Sequence, residues 1–186
     1  MKIKAGIIGG SGYTGIEVLR ILHQHPKAEV VAICSRAFHG KKIKEIFPNL
    51  AGLTNLTFST PNLESFNKCD VVFFATPHGV AMESAGAYLE KGIKVIDLGA
   101  DFRIQNPSVW SKWYNMEHTQ SALLSEAVYG QPEIRRDAIK SARLIANPGC
   151  YPTAILLALK PLLENNLIDC SNIIADCKSG ASGAGR

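Results

Sequence analysis

The chain has 186 residues, 46% hydrophobic and 19% charged, a balance that excludes a disordered or fibrous protein and suits one α/β domain plus part of a second. A formal net charge of +4, with basic residues dispersed apart from Lys41, Lys42 and Lys44, provides no nucleic-acid-binding stripe and suits a site for phosphorylated, anionic small molecules. The chain lacks a run near the roughly 20 apolar residues that span a bilayer and an export signal, and its five scattered cysteines fit a reducing, cytoplasmic setting without a membrane partner.

Residues 2–8 form a short apolar run that predicts a first strand, and 16–22 have helical character. Residues 29–34 and 70–75 are rich in β-branched or aromatic side chains and read as further strands. A helix is predicted over 80–91 and a strand over 94–97. Segment 105–128 reads as irregular, with a short helix around Trp110, and 143–146 as another short strand. Short apolar runs alternating with helices predict βαβ units, hence an α/β fold with a doubly wound, mostly parallel sheet. A helix follows at 150–159, which Pro161 kinks or ends before 162–164.

Gly10-Ser11-Gly12-Tyr13-Thr14-Gly15 fits the G-x-G-x-x-G template between the first strand and first helix. In such a loop one glycine permits the turn, one lets a pyrophosphate approach the backbone and one lets the helix sit close to the strand, while the helix N-terminus faces the phosphates. The bland alternative is a tight turn that binds nothing. About 20 residues further on, a site for NAD carries Asp or Glu for the ribose 2′-hydroxyl. Here the second strand ends in Ser35-Arg36, a hydroxyl and a guanidinium that suit a 2′-phosphate, so NADP (as NADPH) is the expected cofactor. Arg36 as an ordinary solvated arginine is the competing reading.

Asn147-Pro148-Gly149-Cys150-Tyr151-Pro152-Thr153 follows the last predicted strand. Pro152 suits a helix's first turn, which places Cys150 at a helix N-terminus, where the dipole favours the thiolate. Cys34, Cys69, Cys170 and Cys177 read instead as buried, inert cysteines. Residues 179–185, all small, followed by Arg186, form either a flexible end or a backbone cradle for an anion, and composition favours the first. His23 and His25 lack further ligands to make a metal site, and His39 and His118 read as surface residues. His78 is weighed as a catalytic base, with a place beside the cofactor as the stronger reading.

Five segments occur together and in order: 9–15, Asp97-Leu98-Gly99-Ala100-Asp101-Phe102-Arg103, Tyr129-Gly130-Gln131-Pro132-Glu133, 147–153 and 178–186. Along essentially the whole chain they resemble the semialdehyde dehydrogenase family, and within it the arginine-pathway branch that reduces N-acetyl-γ-glutamyl phosphate. The resemblance implies an NADP-binding Rossmann domain at 1–148 and, from 149 to 186, the beginning of an α+β substrate and dimerisation domain. It implies NADPH-dependent reduction of an acyl phosphate through a thioester on Cys150, with Arg103, Asn147 and Ser182 on the substrate and phosphate side. Gly183 would lie near the nicotinamide, and Pro77 and His78 in a loop beside the cofactor. Family members are nearly twice as long and place their catalytic histidine in the later half, so this chain is expected to be an N-terminal portion of a homo-oligomeric enzyme. Reduction of a carrier-linked aminoadipyl or an aspartyl phosphate, and a noncatalytic dinucleotide-binding module, stand as alternatives.

Overall fold

Ile3–Ile8 forms strand β1, whose residues 5–8 are all buried, as a central strand covered on both faces requires. The structure, a computed structural model, describes residues 1–185, so the charge expected of Arg186 lies outside the described residues. From β1 the chain passes through the glycine loop into α1 (Tyr13–Gln24) and returns along β2 (Ala28–Cys34). The next stretch holds only short pieces, among them the one-turn helix α2 (Ile43–Ile46). Then come β3 (Val71–Phe74), α3 (Val80–Glu90) and β4 (Lys94–Asp97). The strand order is β2-β1-β3-β4, followed by two later strands, and the neighbours in it run parallel. This is the α/β, doubly wound arrangement that the alternating apolar runs predict.

The two-residue period of the strands divides the core between the two faces of the sheet. Ile7 and Ile33 pack with Leu19 of α1 and with Ile43, Leu50 and Phe58 on one side. Ile8 and Cys34, their chain neighbours, face the other side with Phe74, Val95, Trp110 and the Met82, Ala85 and Leu89 side of α3.

Segment 105–128 is more ordered than its weak periodicity suggests. The Asn106 side chain accepts from the Ser108 and Val109 amides at 2.9 and 3.1 Å and so starts α4 (Pro107–Tyr114). Trp110, fully buried, donates from Nε1 to the Ala100 carbonyl at 2.9 Å. After α5 (Ser121–Leu124), β5 (Val128–Tyr129) adds a strand that the sequence reading omits. Two residues carry no periodicity; parallel pairing with β6 (Leu144–Ala146) makes the strand. Helix α6 (Pro132–Ser141) is likewise unexpected. It buries no residue, although Pro132 and Glu133 in its first turn are start signals.

Helix α7 (Cys150–Glu164) begins at the predicted cysteine but runs past Pro161, which does not end it. None of its residues is buried. Residues 172–176, which follow this helix, have no regular structure, and Ile174 is 89% exposed. A strand needs a neighbour, and among the described residues none lies beside this segment. Two of the cysteines expected to be buried are not: Cys170 is exposed and Cys177 half-buried, because both follow α7 into this thinly packed region.

Candidate active site

The order β2-β1-β3 reverses direction at β1, and a crevice at the carboxyl ends of strands is expected at such a switch point. A cavity of about 460 Å³ lies there, lined among others by Gly9, Ser11 and Gly12, by Ser35 and Arg36, and by Thr76 and Pro77. A methyl group built on Gly15 would stand 2.6 Å from the Gly9 carbonyl oxygen, so this glycine lets α1 start close against the loop. One built on Gly12 would meet nothing nearer than 3.7 Å, which leaves the backbone open towards the cavity. Ser35 is 3% exposed and its hydroxyl bonds that of Ser11 at 2.8 Å, tying the end of β2 to the glycine loop. Arg36 is exposed, with no carboxylate partner among the described residues. The Thr76 hydroxyl is buried and lacks a protein partner.

Cys150 is the first residue of α7 and is exposed, with Gly149 as the helix N-cap. The amide and hydroxyl of Thr153 both bond the Gly149 carbonyl, at 3.0 and 2.9 Å, and hold the first turn closed. Arg103 is half-buried. Its Nε donates to the Asn147 carbonyl at 2.7 Å and one terminal nitrogen to the Leu98 carbonyl at 3.0 Å. The other terminal nitrogen lies where a Cβ on Gly149 would approach to 3.2 Å, so glycine there admits the guanidinium beside the cysteine turn. Asn147 is anchored by its amide to the Asp97 carbonyl at 2.8 Å. Arg103, Asn147 and Cys150 are thus neighbours at the carboxyl edge of β4 and β6.

Two fully buried carboxylates shape the intervening turn. Asp97 accepts from the Gly99 and Asp101 amides at 2.8 and 3.1 Å. Burial, reinforced by the Asp101 charge, pushes the Asp97 carboxyl up to about 6, against those two amides and the Arg103 charge. Asp101 accepts from the Gly79 and Met82 amides at 2.6 and 2.9 Å, at the N-terminus of α3. Both aspartates belong to the 97–103 segment, but nothing in the sequence assigns either a role; an acidic residue four positions after another is a faint signal without the fold around it. His118, expected at the surface, is 6% exposed. Its Nδ1 accepts from the Gln120 amide at 3.2 Å, so Nε2 carries the proton and donates to the Asp101 carbonyl at 2.8 Å. Phe102 and Trp110 pack edge-on to its ring and explain the burial.

The remaining candidates stand further off. Gly10 lies behind the cavity against Ile33, and Tyr13 and Thr14 are exposed on the first turn of α1. His78 is exposed, its ring 5.2 Å from that of Tyr114. Ser182 and Gly183 lie in an exposed 3₁₀ turn, Ala181–Ala184, outside the cavity lining. Gly183 donates to the Gly180 carbonyl and approaches the Ser179 hydroxyl, both within the same short segment. His23 and His25 are exposed, and among the described residues no three His, Cys, Asp or Glu gather as a metal site. No helix of the described residues is long and apolar enough to cross a membrane.

Residues 4–142 match the family described as semialdehyde dehydrogenase, NAD binding domain, and 150–186 match the semialdehyde dehydrogenase dimerisation domain. The chain is 61% identical over 184 residues to N-acetyl-gamma-glutamyl-phosphate reductase of Vesicomyosocius okutanii, an alignment that takes in 99% of this chain and 54% of the relative. It spans about half the length of the curated relatives it matches. Among solved structures, aspartate semialdehyde dehydrogenase II of Vibrio cholerae superposes with a TM-score of 0.64 at 22% identity, over 89% of this chain and 43% of that one. The Candida albicans aspartate semialdehyde dehydrogenase with NADP gives 0.59 at 19% identity, over 89% and 48%. At such identities the superpositions speak for the fold alone.

Proposed function

The chain belongs to the semialdehyde dehydrogenase family, and from that membership we propose that it carries the cofactor site and the nucleophile of an NADPH-dependent N-acetyl-γ-glutamyl-phosphate reductase. The products would be N-acetylglutamate semialdehyde and phosphate, a step of arginine biosynthesis. The name shared by its curated relatives supports this substrate. In this reading residues 1–148 bind the cofactor, 149–186 begin the substrate and dimerisation domain, and the working form is a cytoplasmic homo-oligomer.

The observation that carries the reading is an exposed cysteine at the start of a 15-residue helix with an arginine beside its turn. Cys150, as thiolate, attacks the acyl carbon; the carbon–oxygen bond to phosphate breaks, the phosphate departs with the electron pair, and a thioester remains. Arg103 offsets the phosphate charge, and the free amides of the first turn of α7 face the developing oxyanion. NADPH, when bound, would supply the hydride that reduces the thioester carbon. The carbon–sulfur bond then breaks, which releases the aldehyde and returns Cys150 as the thiolate.

The cavity fits such a dinucleotide. Gly12 leaves its backbone open, Ser11 and Gly12 precede the N-terminus of α1 where phosphates are favoured, and the buried Thr76 hydroxyl awaits a partner. Ser35 and Arg36 would hold the 2′-phosphate; Pro77 and His78 would flank the nicotinamide side, with Asn147 and Ser182 towards the substrate and Gly183 towards the cofactor.

The test is NADPH oxidation by the complete protein with N-acetyl-γ-glutamyl phosphate, aspartyl phosphate and carrier-linked aminoadipyl phosphate in parallel. Turnover of the first that Cys150→Ser abolishes is expected. Preferential turnover of another acyl phosphate would overturn the substrate, and cofactor binding without any turnover would point to a noncatalytic module.

A further inference from the structure

The structure contains a continuous hydrogen-bonded bracket between the loop at the end of β3 and the cysteine turn. It begins at the Asp101 carboxylate, which accepts the Gly79 amide at 2.6 Å and the Met82 amide at 2.9 Å. Gly79 has φ +91°, a left-handed conformation, and is the N-cap of α3, with no side chain of its own to cap the helix. The turn that leads out of Thr76 and Pro77 therefore takes its position from a carboxylate 22 residues away in sequence. Asp101 is itself held from three directions: its amide bonds the Asp97 carboxylate at 3.1 Å, its carbonyl accepts from His118 Nε2 at 2.8 Å, and Trp110 Nε1 bonds the preceding carbonyl, that of Ala100. Two residues later, Arg103 grips the Asn147 carbonyl at 2.7 Å and lies against Gly149. Buried carboxylates are costly unless fully bonded, and here each oxygen of Asp101 has an amide donor.

We propose that Asp101 is a positioning residue for hydride transfer: by fixing Gly79 and the start of α3, it sets the loop that carries Thr76 and Pro77 in register with Cys150. The inference rests on the reductase reading above. Asp101 is fully buried and does not line the cavity. Its two acceptor oxygens turn two loops of the sheet edge into one rigid body, and reaction rates are sensitive to misplacements on the scale of 1 Å.

The experiment uses the complete enzyme with Asp101→Asn, which preserves volume but turns one acceptor into a donor facing an amide, and Asp101→Ser, which is shorter and retains one acceptor. Expected in both is a fall in the single-turnover rate of NADPH oxidation on the order of 10²-fold. The alkylation rate of Cys150 and the preference for NADPH over NADH should stay at parental values, and hydrogen exchange at Gly79 and Met82 should quicken. A general structural role would instead lower cysteine reactivity and cofactor preference together. Parental turnover in a folded variant, or parallel loss of all readouts in both, would overturn the positioning role while leaving the reaction standing. A parent that oxidises NADPH with no acyl phosphate would overturn the reaction, and the positioning role with it.

Discussion

Arg103 Nε donates to the carbonyl oxygen of Asn147 at 2.7 Å, across 44 residues of sequence, and this bond fixes the guanidinium beside the turn that presents Cys150. The arginine is held by main-chain carbonyls and has no carboxylate partner among the described residues, so its charge remains available to an anion. Replacing it tests both grip and charge. Arg103→Lys keeps the charge but cannot reach two carbonyls as a planar fork. The expected outcome in the complete enzyme is a loss of kcat/KM for the acyl phosphate on the order of 10²-fold with little change in the KM for NADPH. Steady-state kinetics with each substrate varied in turn checks it.

Cofactor choice tests Arg36. The side chain is exposed at the rim of the cavity, next to the buried Ser35 whose hydroxyl bonds Ser11. NADPH should bind more tightly than NADH, and Arg36→Ala should weaken NADPH by about 1.5–3 kcal/mol, the range of a hydrogen bond to a charged group, with NADH unaffected. Titration calorimetry with both cofactors measures the difference; equal affinities in the parent protein would remove the role of Arg36.

Thiol mapping separates the five cysteines. Cys34 and Cys69 are buried; burial pushes both thiols up, Cys69 to about 11 with help from the neighbouring Asp70 charge. Both should alkylate slowly in the folded protein. Cys150 and Cys170 are exposed, and only Cys150 opens a long helix, so it should react first, then Cys170, with the half-buried Cys177 behind them. Mass spectrometry of a brief iodoacetamide pulse reports the order. Cys170 ahead of Cys150 would count against an activated nucleophile.

The buried Asp97 predicts a pH dependence of stability. Its folded-state value, raised from 3.8 to about 6, means that the native state holds its proton more tightly than the unfolded chain does. The sign follows: between about pH 4 and pH 6 the unfolded state ionises first and this group lowers stability as pH rises, with the full penalty present above 6. The shift corresponds to roughly 3 kcal/mol at 1.36 kcal/mol per unit. Urea midpoints across this window should fall with pH in the parent protein, after allowance for other carboxylates. Asp97→Asn, which does not titrate, should flatten that component of the slope.

How much of this was legible in the sequence depends on the distance over which each feature is determined. The strands at 3–8, 28–34, 71–74 and 94–97, the glycine loop and the start of the helix at Cys150 rest on local signals: apolar runs, glycines at set spacing, a proline in a helical first turn. Such signals survive in one dimension because the backbone geometry that they encode spans only a few residues. β5 exists because β6 is beside it, and α7 continues through Pro161 against the local stop signal that a proline gives. His118 became a buried donor only when Phe102, Trp110 and the Asp101 carbonyl closed around it. Asp97 and Asp101 were plain acidic residues until the amides of Gly99, Gly79 and Met82 converged on them. The sequence alone therefore pointed to the candidate site residues that follow β1 and β2 and open α7. Tertiary structure decided what holds them in place, because the partners of a buried polar group come from wherever the fold brings an unsatisfied donor within about 3 Å.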